Sequence, residues 1–166
     1  MEREPRIWFS VSATDRAPRP GEVDGRDYRF ISTEEFRRIR AGGGFLEWFE
    51  VYGDLKGTPR DSVDEHLRVG DDVLLEVDVQ GAMAVRQAFP GALLIFVRPP
   101  SREVQRQRLL DRDPDIDPGD LERRLAEADA EEALAAEFDA VVVNADLETA
   151  VAEIQGLMQR RRGSTA

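Results

Sequence analysis

Short apolar runs, rich in β-branched and aromatic residues, recur along the 166-residue chain and are bounded by glycine, proline or charged residues. Runs of this kind are typical of strands. Six strands are predicted, at residues 7–11, 28–31, 45–51, 73–77, 93–97 and 140–143. The last three are nearly continuous apolar stretches, which is the pattern of strands buried in a parallel sheet.

The segments between these strands carry helix signals instead. Ser32 or Thr33 precedes two acids and predicts a helix start, and the glycines at 42–44 predict its end. Further helices are predicted at residues 59–70, 80–89, 102–111 and 121–138, and from about residue 146 onward. The GDLKG segment, residues 53–57, predicts a tight turn. The alternation of strands and helices predicts an α/β fold.

The length of the chain allows one sizeable core. We therefore expect a single domain over residues 1–166, with a smaller inserted lobe at residues 19–59. The sequence has no cysteine and one histidine, which excludes disulfides, thiolate metal sites and histidine clusters. Any metal would be bound by oxygen, most simply Mg²⁺ that arrives with a nucleotide.

The formal net charge of −11 argues against non-specific binding to nucleic acid or acidic membranes, since both require a positive protein surface. The sequence shows no run of 18 apolar residues and no signal peptide, so the expected location is the cytoplasm. All basic residues except Lys56 are arginines, a bias that a GC-rich genome also produces. Only arginines in a recognisable pattern are therefore informative.

The most informative pattern is SVSATDRAPRPGEVDGRDY at residues 10–28, which holds three arginines, three hydroxyl residues and a turn-forming run. Arginine presents a rigid fork of donors that matches phosphate oxygens, and hydroxyl groups fill the remaining directions. The pattern indicates a phosphate pocket, and a set of exposed salt bridges is the alternative.

Together with four further motifs, this segment resembles the guanylate kinase family over nearly the whole chain. The motifs are GFLEW, LLEVDVQGA, VRPPS and FDAVVVNADLE, at residues 44–48, 74–82, 97–101 and 138–148. The resemblance implies the P-loop nucleoside monophosphate kinase fold: a parallel-sheet core, a small mixed-β GMP-binding lobe at residues 19–59 and a helical lid at residues 102–137. It also implies the reaction ATP + GMP to ADP + GDP.

The resemblance implies a set of GMP ligands as well. The residues in the places of the family's phosphate ligands are Ser12, Arg16, Arg19 and Tyr28. Glu47 resembles the carboxylate that accepts from the N1–H and N2 amine of guanine. Thr58 sits where a hydroxyl binds the ring oxygen, and Asp78 where a second carboxylate helps. For Glu47 the alternative is an outward-facing residue on a half-buried strand.

Two positions depart from the family pattern. The usual T-T-R is Thr14-Asp15-Arg16 here, which adds negative charge near the phosphate ligands. If Asp15 points inward it weakens the pocket, and if it points outward it is harmless. A tyrosine that would hydrogen-bond the GMP phosphate is replaced by Lys56, which can meet phosphate as a point charge with a different geometry.

On the donor side, Glu76 and Asp78 resemble the acidic strand end that helps to hold Mg²⁺ in P-loop kinases. The arginines that match the family's lid arginines are Arg108, Arg112 and Arg124. Asn144 falls near the family's adenine loop. Because charges at helical spacing are usually solvated, a plain surface helix is the alternative for the lid arginines.

The family's G-x-x-x-x-G-K-[ST] loop does not occur in this sequence, since the only lysine, Lys56, is followed by Gly57. In the family, the strand before that loop lies in the middle of the sheet. Its absence leaves unpaired backbone groups that each cost about 1–3 kcal/mol. Three outcomes are open: the strands at 73–77 and 93–97 pair directly, another segment or chain fills the slot, or the cellular protein has residues absent here.

Three hypotheses about function follow. The chain is a guanylate kinase recorded from an internal start codon, which uses Mg²⁺ with ATP. Alternatively it is a non-catalytic domain that binds GMP or a phosphorylated peptide, or a decayed product that folds poorly. The expected partner is GMP, whereas ATP binding is in question without the loop. The oligomeric state is left open.

Overall fold

The computed structural model describes residues 6–51 and 53–163. The strands are β1 Ile7–Phe9, β2 Ala13–Thr14, β3 Arg29–Phe30, β4 Phe45–Val51, β5 Asp54–Pro59, β6 Asp72–Leu74, β7 Ile95–Arg98 and β8 Ala140–Val143. The α-helices are α1 Thr33–Ala41, α2 Arg60–Val69, α3 Val79–Ala88, α4 Arg102–Arg112, α5 Pro118–Glu132 and α6 Leu147–Gly163. The chain divides into two compact units, residues 1–90 and 91–166.

The first unit contains a four-stranded mixed sheet in the order β3-β2-β5-β4. Strand β5 pairs antiparallel with both of its neighbours, while β2 and β3 run parallel. A second, two-stranded sheet in this unit pairs β1 with β6 in parallel. The parallel and mixed sheets confirm the α/β class, whereas the bounds of the lobe at residues 19–59 stay a prediction.

The core of the mixed sheet is an aromatic and aliphatic cluster beneath α1. Phe36 of α1 is fully buried and its ring stacks on Phe45 at 4.4 Å between centroids. Ala13 and Leu55 complete the cluster. The register of β4 shifts between Phe45 and Glu47. This bulge lets Phe45 join the core while Glu47 pairs with β5, although strict alternation would place both residues on one face.

The second unit pairs β7 with β8 in parallel, with Val142 fully buried. Helices α4 and α5 pack together and carry ion pairs between them. Arg102 bonds to Asp129, and Arg106 donates to Glu122 at 2.6 Å. In the described residues, no helix combines the length and apolar character that a bilayer crossing requires.

The predicted turn at residues 53–57 is wrong. Only Gly53, at φ +85°, is part of a turn, and the residues after it form β5. Leu55 and Thr58 are buried in this strand, which is paired on both sides. Tertiary pairing therefore overrides the turn-like composition of the segment.

Other boundaries shift for identifiable reasons. The predicted strand at 73–77 forms only over Asp72–Leu74, because its partner β1 ends at Phe9, opposite Leu74. The predicted helix at 121–138 begins earlier and ends earlier. Asp117 caps it by accepting from the N–H groups of Gly119 and Asp120, and a proline occupies its first position. A separate 3₁₀ turn follows at Ala135–Glu137.

Candidate functional site

Strand β5 brings two groups of polar side chains to one face of the mixed sheet. Lys56 and Thr58 are two residues apart, so their side chains project to the same side about 7 Å from each other. Glu47 of β4 is paired with Thr58. The face thus has a cationic end at Lys56 and an acidic end at Glu47.

The cationic end is built around Arg16, whose side chain is 9% exposed. Its guanidinium makes a bidentate pair with Glu22, at 2.7 Å from Nη1 and 2.6 Å from Nη2. It also lies over the rings of Tyr28 and Phe30, at 5.0 and 5.5 Å from the centroids. The hydrogen bonds from Arg16 lower the pKa of Glu22 to about 2, and this pairing raises the pKa of Arg16.

The other predicted phosphate ligands surround this arginine. The Lys56 ammonium lies 5.6 Å from the centroid of the Tyr28 ring, so two cations share one aromatic ring. Arg19 is exposed, and its backbone N–H donates to Glu22 at 2.7 Å. Ser12 is half-buried, and its carbonyl accepts from the N–H of Arg29, next to Tyr28.

Asp15 does not face the cationic cluster through its carboxylate oxygens. One oxygen accepts from the backbone N–H of Leu55 at 2.7 Å, and the other from the hydroxyl of Thr33 at 2.9 Å. The carboxylate therefore ties β2 to β5 and to the start of α1. Of the two alternatives for Asp15, the structure shows neither an inward charge nor an idle surface charge, but a structural link.

The acidic end of the face is a buried carboxylate with one satisfied oxygen. Glu47 is 5% exposed, and its Oε1 accepts from the Thr58 hydroxyl at 2.5 Å. Its Oε2 is buried and has no hydrogen-bond partner. Burial raises the pKa of Glu47, the charge of Asp78 raises it further, and the hydrogen bonds from Thr58 oppose the rise. An outward-facing Glu47 is therefore wrong.

Asp78 and Gly81 form the wall beside this orphaned oxygen. Asp78 caps α3, and its Oδ1 accepts from the N–H of Gly81 at 2.7 Å. A Cβ on Gly81 would lie 3.3 Å from both Glu47 Oε2 and Asp78 Oδ1. The absence of a side chain at Gly81 therefore lets the start of α3 approach both carboxylates closely. A ligand group with adjacent N–H donors fits the chemistry of the unpartnered Glu47 oxygen.

The two acids predicted to assist Mg²⁺ lie at and just before the start of α3. Glu76 is exposed, and Asp78 uses an oxygen to cap α3. Across residues 6–51 and 53–163, no group of three or more potential metal ligands comes together. The assignment of Glu76 and Asp78 to Mg²⁺ stays a prediction.

The second unit holds a groove of about 310 Å³ at the C-terminal ends of β7 and β8. Arg108 and Arg112 of α4 line it together with Asn144, whose carbonyl accepts from Arg108 Nη2 at 2.9 Å. Arg124 lies on α5, half-buried, and does not line the groove. The structure thus brings together two of the three predicted lid arginines.

Sequence reasoning missed Glu22 and Phe30 as parts of the cationic cluster. Glu22 lies in the P-G-E motif six residues after Arg16, and that motif is the only signal that could have indicated it. Phe30 follows Tyr28 by two residues, which places both rings on one side of an extended segment. A phenylalanine in a short strand is otherwise read as core.

Comparisons with known proteins agree with one another. A family model described as guanylate kinase matches residues 2–161. The guanylate kinase of Gloeobacter violaceus is 52% identical over 157 residues, which is 95% of this chain and 76% of that protein. That of Symbiobacterium thermophilum is 49% identical over 165 residues, 99% and 78% of the two chains. The crystal structure of guanylate kinase from Anaplasma phagocytophilum superposes with a TM-score of 0.80 at 33% identity, covering 93% of this chain and 76% of that chain.

Proposed function

Because this chain belongs to the guanylate kinase family, we propose that it binds GMP on the polar face of its mixed sheet, as acceptor in the reaction ATP + GMP to ADP + GDP. The buried, unpartnered Oε2 of Glu47 is the observation that carries the proposal. An unsatisfied buried acceptor is costly, and a ligand that donates to it removes the cost.

Guanine presents the N1–H and the N2 amine side by side, and both donate. In the proposed complex Glu47 accepts from them, with Asp78 beside it, and Thr58 meets the ring oxygen. Adenine has a lone pair at N1 in place of the N–H, so the same carboxylate repels it. The acidic end of the face therefore selects guanine.

The phosphate of GMP lies at the cationic end, where Arg16, Lys56 and Tyr28 cluster. Arg19 and Ser12 complete the proposed ligand set. Lys56 contributes a point charge where the family has a tyrosine hydroxyl. The lobe at residues 19–59 thus carries most of the acceptor site.

Phosphoryl transfer in this family requires positioning and charge neutralisation, with no covalent intermediate. In our proposal ATP brings Mg²⁺ with it, and the ion neutralises phosphate charge when bound. Glu76 and Asp78 are the nearest candidates to assist. Arg108, Arg112 and Arg124, in the lid at residues 102–137, supply positive charge for the transferring group.

The given sequence contains no G-K-[ST], so none of its residues supplies the lysine that reaches the transferred phosphate. We therefore propose that a polypeptide of these 166 residues binds GMP but transfers phosphate poorly. The same proposal leaves a central strand position of the sheet to be filled. The cytoplasm is the location that we infer for the protein.

Calorimetric titration of the 166-residue chain with GMP, guanosine and AMP tests the acceptor site. We expect GMP to bind at least about tenfold more tightly than AMP, because each lost or reversed hydrogen bond to a buried charge costs about 1–3 kcal/mol. Guanosine should bind more weakly than GMP. Equal affinities for GMP and AMP would contradict the proposed role of Glu47.

A second candidate function is a non-catalytic domain that binds GMP or a phosphorylated peptide. The given sequence contains the predicted acceptor residues but no G-K-[ST] motif, and this combination motivates the second candidate. The relatives compared above, all named guanylate kinase, favour the first function. Measurable GDP formation by the 166-residue chain, in a coupled assay with ATP, Mg²⁺ and GMP, would eliminate the second.

A further inference from the structure

Glu22 contacts both arginines of the phosphate site, although it has no place among the predicted ligands. Its carboxylate accepts two N–H bonds from the Arg16 guanidinium and one from the backbone of Arg19, all at 2.6–2.7 Å. Arg16 and Arg19 are separated along the chain only by Ala17 and Pro18. One carboxylate therefore fixes the side chain of one arginine and the backbone of the other.

The bond pattern of Arg16 leaves one edge of its guanidinium available. Of its five N–H groups, one donates to the Ala17 carbonyl at 2.9 Å and two to Glu22. Within the described part of the chain, the remaining Nε–H and second Nη2–H make no hydrogen bond. These two groups lie on the same edge of the fork, which is an arrangement that binds two phosphate oxygens at once.

The flat faces of Arg16 are also constrained, because the guanidinium lies over the Tyr28 and Phe30 rings. The negative charge of Asp54 also helps to raise the pKa of Arg16. With Glu22 on one edge and the rings against the plane, rotation of the fork is blocked. The open edge of the Arg16 guanidinium therefore points in one fixed direction.

We propose that Glu22 is a positioning residue that holds Arg16 and Arg19 in the geometry that binds the phosphate of the nucleotide. This inference rests on the proposed function, since it assumes a phosphate ligand at Arg16. The opposite possibility is that Glu22 competes with phosphate for the arginine fork. The two possibilities predict opposite changes in GMP affinity when Glu22 is substituted.

Calorimetric titration of variants of the 166-residue chain with GMP and guanosine distinguishes the positioning role from competition. For Glu22→Gln we expect GMP affinity to fall about tenfold, because the new amide presents an N–H where Arg16 needs an acceptor. Guanosine affinity should not change, since it has no phosphate. Glu22→Asp keeps the charge and should recover part of the loss.

Asp27 provides a matched control in the same loop. Its carboxylate also accepts a backbone N–H, from Val23, and bonds to an arginine, Arg26. It contacts neither Arg16 nor Arg19. Asp27→Asn should therefore leave GMP affinity within about twofold of the wild type, which is the scale of an exposed substitution.

A pH series tests whether the Glu22 carboxylate stays ionised across the range in which GMP binding is measured. Hydrogen bonding to Arg16 holds the pKa of Glu22 at about 2, so the ratio of wild-type to Glu22→Gln affinity should stay constant from about pH 5 to about pH 8. Tighter GMP binding by Glu22→Gln, or an equal loss in Asp27→Asn, would overturn the positioning role. A wild-type chain that binds GMP no better than guanosine would instead overturn the proposed phosphate site itself.

Discussion

Two carboxylates in the first unit have opposite environments. Asp15 has both oxygens hydrogen-bonded, to Leu55 and Thr33, and serves the fold. Glu47 is more deeply buried, yet one of its oxygens has no partner. A buried carboxylate oxygen without a hydrogen-bond partner reduces stability and is available to a ligand that donates. The residue type alone therefore does not distinguish a structural acid from one that can bind a ligand.

Glu47→Gln should raise the melting temperature at about pH 7.5 by about 2–4 °C, because it removes a buried charge that costs about 1 kcal/mol. The folded state has the higher pKa, so wild-type Glu47 takes up its proton in the folded state first as pH falls. The cost is fully present above the folded pKa and disappears toward the ordinary value near about 4.3. The difference in melting temperature, measured by scanning calorimetry, should shrink from about pH 7.5 to about pH 5.

The same variant should lose most of its GMP affinity. A Glu47→Gln chain that is less stable than the wild type at neutral pH would contradict the view that the charge is a cost. An unchanged affinity for GMP would contradict its role as guanine acceptor.

Asp15→Asn should lower the free energy of unfolding by about 1–2 kcal/mol, because an amide can accept at one of the two positions but presents an N–H at the other. Urea denaturation measures the effect. Glu65→Gln is the matched control, since Glu65 is an exposed acid on α2, and should change stability by less than about 0.5 kcal/mol. If both variants were equally stable, the link from β2 to β5 would contribute nothing to the free energy of unfolding.

At the level of elements, α3 lies against the acidic end of the polar face. Its first residues place Gly81 against Glu47, and its cap is Asp78, the second predicted guanine carboxylate. A helix start therefore sets the distance between two acids. The Asp78 side chain caps α3, and its charge also raises the pKa of Glu47. Two substitutions separate these effects.

Asp78→Ala removes the cap and should cost about 1 kcal/mol in urea denaturation, whereas Asp78→Asn keeps an equivalent cap and should cost little. Both remove the negative charge that helps to raise the pKa of Glu47. Carbon-13 NMR titration should then show a lower Glu47 pKa in either variant. A loss of stability in Asp78→Asn equal to that in Asp78→Ala would show that the cap is not what α3 requires.

For the whole molecule, the excess of acids over bases matters more than any one surface pair. With a net charge of −11, self-repulsion opposes the compact state, and salt screens it. Thermal stability should therefore rise by a few degrees between about 50 and about 500 mM NaCl, while GMP affinity falls as the phosphate contacts are screened. A melting temperature that decreased with salt would show that ion pairs such as Arg106–Glu122 dominate instead.

The sequence allowed the α/β class, most helices and most members of the two polar clusters to be predicted, because those depend on local patterns and on motifs. Strand β5 was missed, since its GDLKG composition favours a turn and only pairing with β2 and β4 makes it extended. The partners of Asp15 were missed for a related reason. Side-chain hydrogen bonds across 18 or 40 residues depend on tertiary geometry that spacing does not encode.

The register shift between Phe45 and Glu47 makes this point of the strand unusually tolerant of a change in length. Elsewhere in a paired strand, loss of one codon turns every later side chain to the other surface of the sheet. Without Leu46, the two flanking residues would become direct neighbours and would still point to opposite sides. Natural relatives that are one residue shorter should therefore carry their gap here, with the buried acid at the position of Glu47 still in place.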